Sequence, residues 1–513
     1  MKKILIIASA LLVNAFSFAE IVMPKIFSDN MVLQRGEPVK IWGKATPNAS
    51  VEVKFGKLSQ KAKASEEGKW SLFLPSMKAN KENQTLQVFE NSQLGKEIQN
   101  VLVGEVWIAG GQSNMQWTLN NSDDGEKAKE RANYPMMRFF LQRVDAIAAE
   151  PQEDSPAGAS WVVVSPESAF RLSAIGFYFI EKLMQDLDVP VAIVETPLGG
   201  SAMVVWLTRE DMEGIPSYQE RIKLFDEKNA NYNYEEAVEN QKIAFEKWKK
   251  ERDEAVAKGE SFKKGPPREP RPEAAGEPQV MPAYLYNAKI APIQGFTSRG
   301  FIWYQGESDA TNKENEFLDK FERLIDSWRK YWDKKDMPFY FVQLASFGPA
   351  DWAETRWQQY LTTKKMKNVE LVTAIDLGTE DDIHPRQKTE VGVRLANIAL
   401  KNVYDKKDVY PFGPEMKSVS YKADTATVSI DSLKRKLVEK GEPRGFEVLI
   451  GGKWIDAIET TFDAKKNTIS IKAPDSKEIE GIRYLGKHWS QPDVYIYSED
   501  ELPLLPFIDK KSK

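Results

Sequence analysis

The sequence predicts an α/β protein: a mostly parallel sheet flanked by helices, with an all-β module at each end. Three stretches of the chain carry that expectation. From Gly104 to about Tyr404, apolar runs ("VWIA", "VAIVET", "GFIWYQ", "FYFVQLA", "ELVTAID") alternate with amphipathic segments such as "AIGFYFIEKLMQDL" and "FLDKFERLIDSWRKYW". Such alternation implies parallel strands joined by crossover helices. From Ile21 to about Val103, "PVKIWGKA", "SVEVKFG", "KWSLFLP" and "QTLQVFEN" alternate apolar with polar residues between Gly, Pro and Asn. That is the pattern of a small antiparallel sandwich. From about Pro411 short strands return in "TATVSID", "GFEVLIG", "TISIKA" and "DVYIYSE".

The length of 513 residues is too great for one core and fits about three domains at roughly 150 residues each. The expected boundaries are 20–103 for the first β module, 104–405 for the α/β domain and 406–513 for the second β module. Residues 1–19 precede them as a secretory signal peptide. Lys2 and Lys3 open an apolar run from Ile4 to Phe16, and Ser17-Phe18-Ala19 forms a small-x-small end. Cleavage is expected near Ala19, and the run is too short for a stable membrane span. The chain has no cysteine, which excludes disulfides, thiolate chemistry and Cys-ligated metals. Export to a bacterial periplasm, or release from the cell, follows from the two together. A net charge of −5 gives no electrostatic reason to expect nucleic acid or an anionic membrane as partner.

One segment interrupts the α/β pattern. Residues 226–280 are highly charged and end in "GPPREPRPEAAGEP", with Val238, Phe245 and Trp248 as one narrow apolar stripe. It reads as a solvated insertion, or more sharply as a lid or wall beside an active site.

The histidine inventory narrows the chemistry. There are two, His384 and His488, which leave no HExxH and no His-rich metal site. No Walker loop or G-x-G-x-x-G occurs, and "NNSDDG" lacks a calcium loop's terminal acid because Arg131 stands there. No cofactor and no metal are implied. What remains for an enzyme is nucleophile or acid–base chemistry.

The stretch "GEVWIAGGQSNMQW" ends a strand in Gly110, Gly111, Gln112, Ser113 and Asn114, offering Ser113 as a nucleophile. A serine hydroxyl needs a general base, and an imidazole has a suitable pKa. His384 lies in "EDDIHPRQK", just after the run "ELVTAIDL". Asp381, three residues earlier, is placed to accept the imidazole Nδ1–H and orient the ring, with Asp382 a competing candidate. His488, in "GKHWSQ", has no such arrangement and reads as structural. Oxyanion donors are sought at two other strand ends. "ETPLGGSAMVVW" supplies backbone N–H groups at Gly199 and Gly200, and "FIWYQGESD" supplies the Gln305 amide, with Glu307 placed to orient its neighbours. These loops converge on one edge of the sheet.

Met115 excludes a G-x-S-x-G elbow. The order Ser, Gly, Gln, Asp-x-x-His instead resembles the SGNH (GDSL-like) hydrolases, and the chain looks most like the sialate O-acetylesterase family. The likeness spans "FSDNMVLQRGEPVKIWGKA", "GEVWIAGGQSNMQW", "VPVAIVETPLGGSAMVVW", "LYNAKIAPI", "GFIWYQGESDA", "DDIHPRQK" and "RYLGKHWSQPDVYIYSEDELPLLPF". It implies an SGNH-type domain with Ser113 as nucleophile, His384 and Asp381 completing the triad, and Asn114 and Glu307 in support. The N–H of Ser113, Gly200 and Gln305 would then form the oxyanion hole. Gln305 stands where many GDSL enzymes carry Asn, and Ala288-Lys289 depart from the family's more usual "YNGMI".

The implied activity is hydrolysis of acetyl esters on sialic acid through an acetyl-enzyme. An esterase acting on acetylated xylan or another glycan is the alternative, and a catalytically inactive glycan-binding protein is the alternative of another class. A sialic acid carboxylate would call for an arginine, with Arg138, Arg171, Arg299, Arg356 and Arg386 as candidates. The sequence leaves oligomeric state, regioselectivity and glycan binding by the β modules open.

Overall fold

The computed structural model describes residues 21–262, 264–272 and 274–511. The signal-peptide reading lies outside the described residues. Among them, no helix is long and apolar enough to cross a membrane.

The central sheet uses β1 (Gln93–Gly111), β2 (Tyr134–Leu141), β3 (Ser160–Val164), β4 (Val191–Glu195), β5 (Gly300–Tyr304), β6 (Phe339–Gln343) and β7 (Val369–Thr373). Their order across it is β7-β6-β5-β1-β4-β2-β3. All neighbours run parallel except β2 and β3. The runs read as strands in the sequence supply β1, β4, β5, β6 and β7. The edge pair β2–β3 was not legible: "YPMMRFFL" has a proline at its second position, and its pairing with β3 shifts register between Tyr134 and Arg138.

Strand alternation divides the core. Val106, Ile108, Phe301 and Trp303 face one side of the sheet, and Trp107, Ala109, Ile302 and Tyr304 face the other. The first face is covered by α5 (Glu316–Tyr331), which contributes Phe317, Phe321, Leu324 and Trp328. The second face is covered by α2 (Ala174–Leu187) and α7 (Lys388–Asn402), through residues such as Phe177, Ile180, Val391 and Leu395. Both faces are therefore sealed, as a parallel sheet requires.

The N-terminal β module is joined to this sheet by β1 itself. That strand pairs with Asn80–Glu90 over its first half and with β4 and β5 over its second. Residues 103 and 104, the expected domain boundary, lie inside it. Val51, Val53 and Val88 of the module share one continuous core with Val106 and Trp303.

The C-terminal module has two four-stranded sheets and its own core around Val428, Val448, Ile469 and Tyr484. It is fastened to the α/β domain by α6 (Ala353–Lys365), from which Arg356 donates to the Leu485 carbonyl at 2.9 Å. The insertion begins near the end of α3 (Pro216–Ala230) and contributes α4 (Tyr234–Ala257). Of the expected stripe, Trp248 is buried and stacks on Phe245, with ring centroids 5.6 Å apart. The described residues of the Pro-rich tail form no helix, and Arg271 ties them to Asp145 at 2.8 Å.

Candidate active site

The chain reverses direction across the sheet at β1, with β4 on one side and β5 on the other, so the carboxyl end of β1 sits at a topological switch point. Two glycines let it end there. A Cβ on Gly110 would lie 2.7 Å from the Trp328 ring. At Gly111, where φ is +124°, a Cβ would lie 2.2 Å from the Tyr304 carbonyl oxygen. Close packing and positive φ thus exclude side chains just where the chain turns up into α1 (Ser113–Gln116).

Alternate side chains of this turn reach different loops. Gln112 Oε1 accepts the Ser308 N–H at 3.4 Å, from the loop after β5. Gln116 Oε1 accepts the Gly199 N–H at 2.7 Å, from the loop after β4. Asn114 Nδ2 donates to Glu307 Oε1 at 2.6 Å and to the Ile383 carbonyl at 3.2 Å, from the histidine loop. The turn is seated by Ser173, whose hydroxyl donates to the Met115 carbonyl at 2.6 Å. The sequence marked Asn114 and Glu307 as supporting residues; Gln112 and Gln116 it did not mark.

His384 Nε2 lies 2.9 Å from Ser113 Oγ, hydrogen-bonding distance from the hydroxyl proton. Its ring stacks on Trp117, centroids 4.6 Å apart and planes 21° apart, which fixes the ring plane. Burial chiefly, aided by the nearby Lys388 ammonium, holds the imidazole below its ordinary pKa against the opposing pull of Asp382. The neutral, proton-accepting form of the ring is favoured accordingly.

The acid of the expected triad needs correction. Asp382, not Asp381, approaches the imidazole: its Oδ1 lies 3.6 Å from Nδ1 and accepts the His384 backbone N–H at 2.9 Å. Asp381 is exposed, and the contact it makes is with Thr379 Oγ1 at 3.5 Å. A D-x-x-H spacing predicts an acid close by, but the tight turn at Asp382 swings the nearer carboxylate back onto its own histidine.

Of the expected oxyanion donors, Gly200 sits at φ +73° on the loop that also carries Gly199. A Cβ on Gly199 would lie 3.4 Å from that of Ser113. The Gly200 carbonyl accepts the Ser308 hydroxyl at 3.0 Å. Gln305 is fully buried, and its amide protons go elsewhere: Nε2 donates to Asp309 Oδ2 at 2.6 Å and to the Ser201 carbonyl at 3.3 Å. It props the Gly200 loop from beneath instead of facing Ser113. Asp309 Oδ2 also accepts the Met203 N–H at 2.7 Å, extending that prop.

Two buried lysines were missed as site residues. Lys289, one of the departures in "LYNAKIAPI", donates to the carbonyls of Val144 and Pro197 at 3.2 and 3.3 Å, under the β4 loop. Lys388 donates to Asn114 Oδ1 at 2.6 Å. Burial pushes each down to about 7. His488 is exposed, and its ring meets the Gly348 carbonyl at 3.2 Å and Asp351 at 4.0 Å. Among the described residues, no group of three or more His, Asp or Glu side chains is gathered as metal ligands would be.

The end of the insertion borders this site. Gln279 accepts the Ala202 N–H through its carbonyl at 3.0 Å, and its Cγ would lie 3.4 Å from a Cβ on Gly200. A cleft of about 1150 Å³ opens between Leu198, Gln279 and the Pro-rich tail.

Comparison with known proteins agrees with this picture. Residues 276–401 match the family model described as carbohydrate esterase, sialic acid-specific acetylesterase. The chain is 26% identical to the sialate O-acetylesterase of Mus musculus, over 94% of this chain and 93% of the relative. It is 25% identical to that of Homo sapiens, over 94% and 91%. A carbohydrate acetylesterase from Xanthomonas citri, solved as a crystal structure, superposes with a TM-score of 0.77 at 27% identity, over 96% of this chain and all of the other. In sequence and fold alike, the chain thus resembles the sialate O-acetylesterases and a carbohydrate acetylesterase of solved structure.

Proposed function

We propose that the protein removes O-acetyl groups from a sugar by serine catalysis, with O-acetylated sialic acid as the substrate, the one in the name of its mammalian relatives. The observation that carries this reading is the 2.9 Å contact between His384 Nε2 and Ser113 Oγ. Ser113 Oγ attacks the acetyl carbonyl as His384 takes its proton. The tetrahedral oxyanion is met by backbone N–H groups of Ser113 and Gly200. Asp382 stabilises the imidazolium, and its 3.6 Å approach shortens once the ring is charged. His384 then protonates the departing sugar oxygen, leaving an acetyl-enzyme, and activates the water that releases acetate.

A carboxylate on the substrate would find few available arginines. Arg138 and Arg356 are buried on backbone carbonyls, and Arg299 is paired with Glu105 at 2.9 Å. Arg171 and Arg386 are exposed on either side of the segment that carries Trp117, and Arg386 Nε donates to the Asn121 carbonyl at 3.2 Å. Export to the periplasm or beyond, after cleavage near Ala19, is part of the same reading.

The test is acetate release from 9-O-acetylated sialic acid and from acetylated xylan, by wild type and Ser113→Ala. Release from sialic acid by wild type alone supports both nucleophile and substrate. Release from xylan alone keeps the nucleophile and replaces the substrate. An active Ser113→Ala protein overturns the mechanism.

A further inference from the structure

We propose that Lys388 is a positioning residue for the Ser113–His384 pair, tying the nucleophile turn to the histidine loop through Asn114 and setting the charge state of the imidazole from behind. The inference rests on the serine–histidine reading above and adds a residue to it.

Lys388 is 1% exposed and opens α7, four residues after His384. Few positions suit an ammonium less. It is desolvated, and it stands at the positive end of a helix dipole. Its compensation is specific: 2.6 Å to Asn114 Oδ1, with the rings of Tyr304 and Trp117 at 5.5 and 5.8 Å.

The Asn114 amide passes that charge on. Its oxygen faces the ammonium while its nitrogen donates to the Glu307 carboxylate at 2.6 Å and to the Ile383 carbonyl at 3.2 Å. A buried cation and a buried carboxylate thus orient one amide dipole between them. That amide belongs to the residue after the nucleophile and grips the residue before the base. Remove the ammonium, and Asn114 loses the partner that chooses between its two orientations.

The second effect is electrostatic. The charged and titratable groups facing His384 are Asp382 on its own loop, Lys388 on α7 and Ser113 on the nucleophile turn, with the Trp117 ring on its face. Those facing Lys388 are Glu307, Asp382 and the Tyr304 phenol, which burial holds well above its usual value and hence neutral. Burial lowers Lys388, yet its ammonium is held by the charges of Glu307 and Asp382, and it is this charge that the imidazole meets. That ammonium then resists imidazolium formation. The base survives into mildly acidic solution.

The test is the pH dependence of Ser113 labelling by a fluorophosphonate, which reports the serine–histidine pair without depending on the sugar substrate. Wild type should label with an acid limb below the ordinary histidine value of about 6.5. Lys388→Met should label at least about tenfold more slowly, and its acid limb should move up by roughly half to one pH unit. Lys388→Arg, which keeps the charge, should return the limb toward wild type even if the rate stays low. A slower Lys388→Met protein with an unmoved limb would overturn the electrostatic role. Wild-type labelling by both variants would overturn the whole proposal. No labelling of wild type would instead overturn the serine–histidine reading. Should Lys388→Met fail to fold, Lys388→Arg against Lys388→Gln decides the same question.

Discussion

The loops around Ser113 and the insertion that contributes α4 both carry dense polar side chains, yet they use them in opposite ways. Around Ser113, Asn114, Gln305 and Lys388 are buried, and each donates to or accepts from a named partner on a different segment of the chain. On α4, pairs such as Lys247–Glu251 and Lys250–Glu254 are 4.0 and 3.9 Å apart and lie in solvent on one helix. A buried polar group that loses its partner keeps the full desolvation cost, whereas an exposed pair is screened and contributes little. The difference teaches where substitutions should matter: the site is rigid because its polar atoms have nowhere else to go.

Substitutions can break or sharpen that contrast. The largest effect belongs to the nucleophile. Ser113→Ala should lower kcat by roughly 10⁴–10⁶-fold, with thermal unfolding little changed, as steady-state acetate release and calorimetry would read. Next comes the orienting acid. Asp382→Asn should cost about 10²-fold or more in kcat, and Asp381→Asn should cost little; equal losses would return the two carboxylates to equal standing. Asn114→Ala strands Glu307 and Lys388 together, so it should destabilise by about 1–3 kcal/mol in denaturant titration and slow turnover as well. At the bottom of the scale, Lys250→Ala on α4 should leave both the unfolding midpoint and kcat where they were. A marked loss there would mean the helix takes part in substrate capture.

The same contrast explains what could be read from the sequence. The strands of the sheet were legible because "VWIA", "GFIWYQ" and "FYFVQLA" are buried on both faces and therefore continuously apolar. Ser113 and His384 stood out as candidates because each interrupts the pattern at the end of such a run, and the fold brings them within 2.9 Å. The acid was not, because sequence spacing cannot show which of two adjacent carboxylates a turn folds inward. Gln305 was assigned by position as an oxyanion donor, but the destination of an amide proton is a tertiary fact; here Asp309 and the Ser201 carbonyl take both. Lys388 had one weak signal, a lysine four residues after the histidine on a chain rich in surface lysines. Its burial depends on Asn114 and Glu307, which lie 274 and 81 positions away. The first domain boundary was blurred for a related reason: one strand serves both the module and the sheet, with no loop between them.

The central claim is that Ser113 carries the acetyl group between the two half-reactions. Acid-quenching the enzyme during turnover on an acetylated substrate, then mapping its peptides by mass spectrometry, tests that directly. One acetyl group is expected on the peptide containing Ser113, absent from Ser113→Ala and longer-lived at a pH where His384 is protonated. Turnover with that peptide unmodified, or an acetyl group trapped on another side chain, would contradict it.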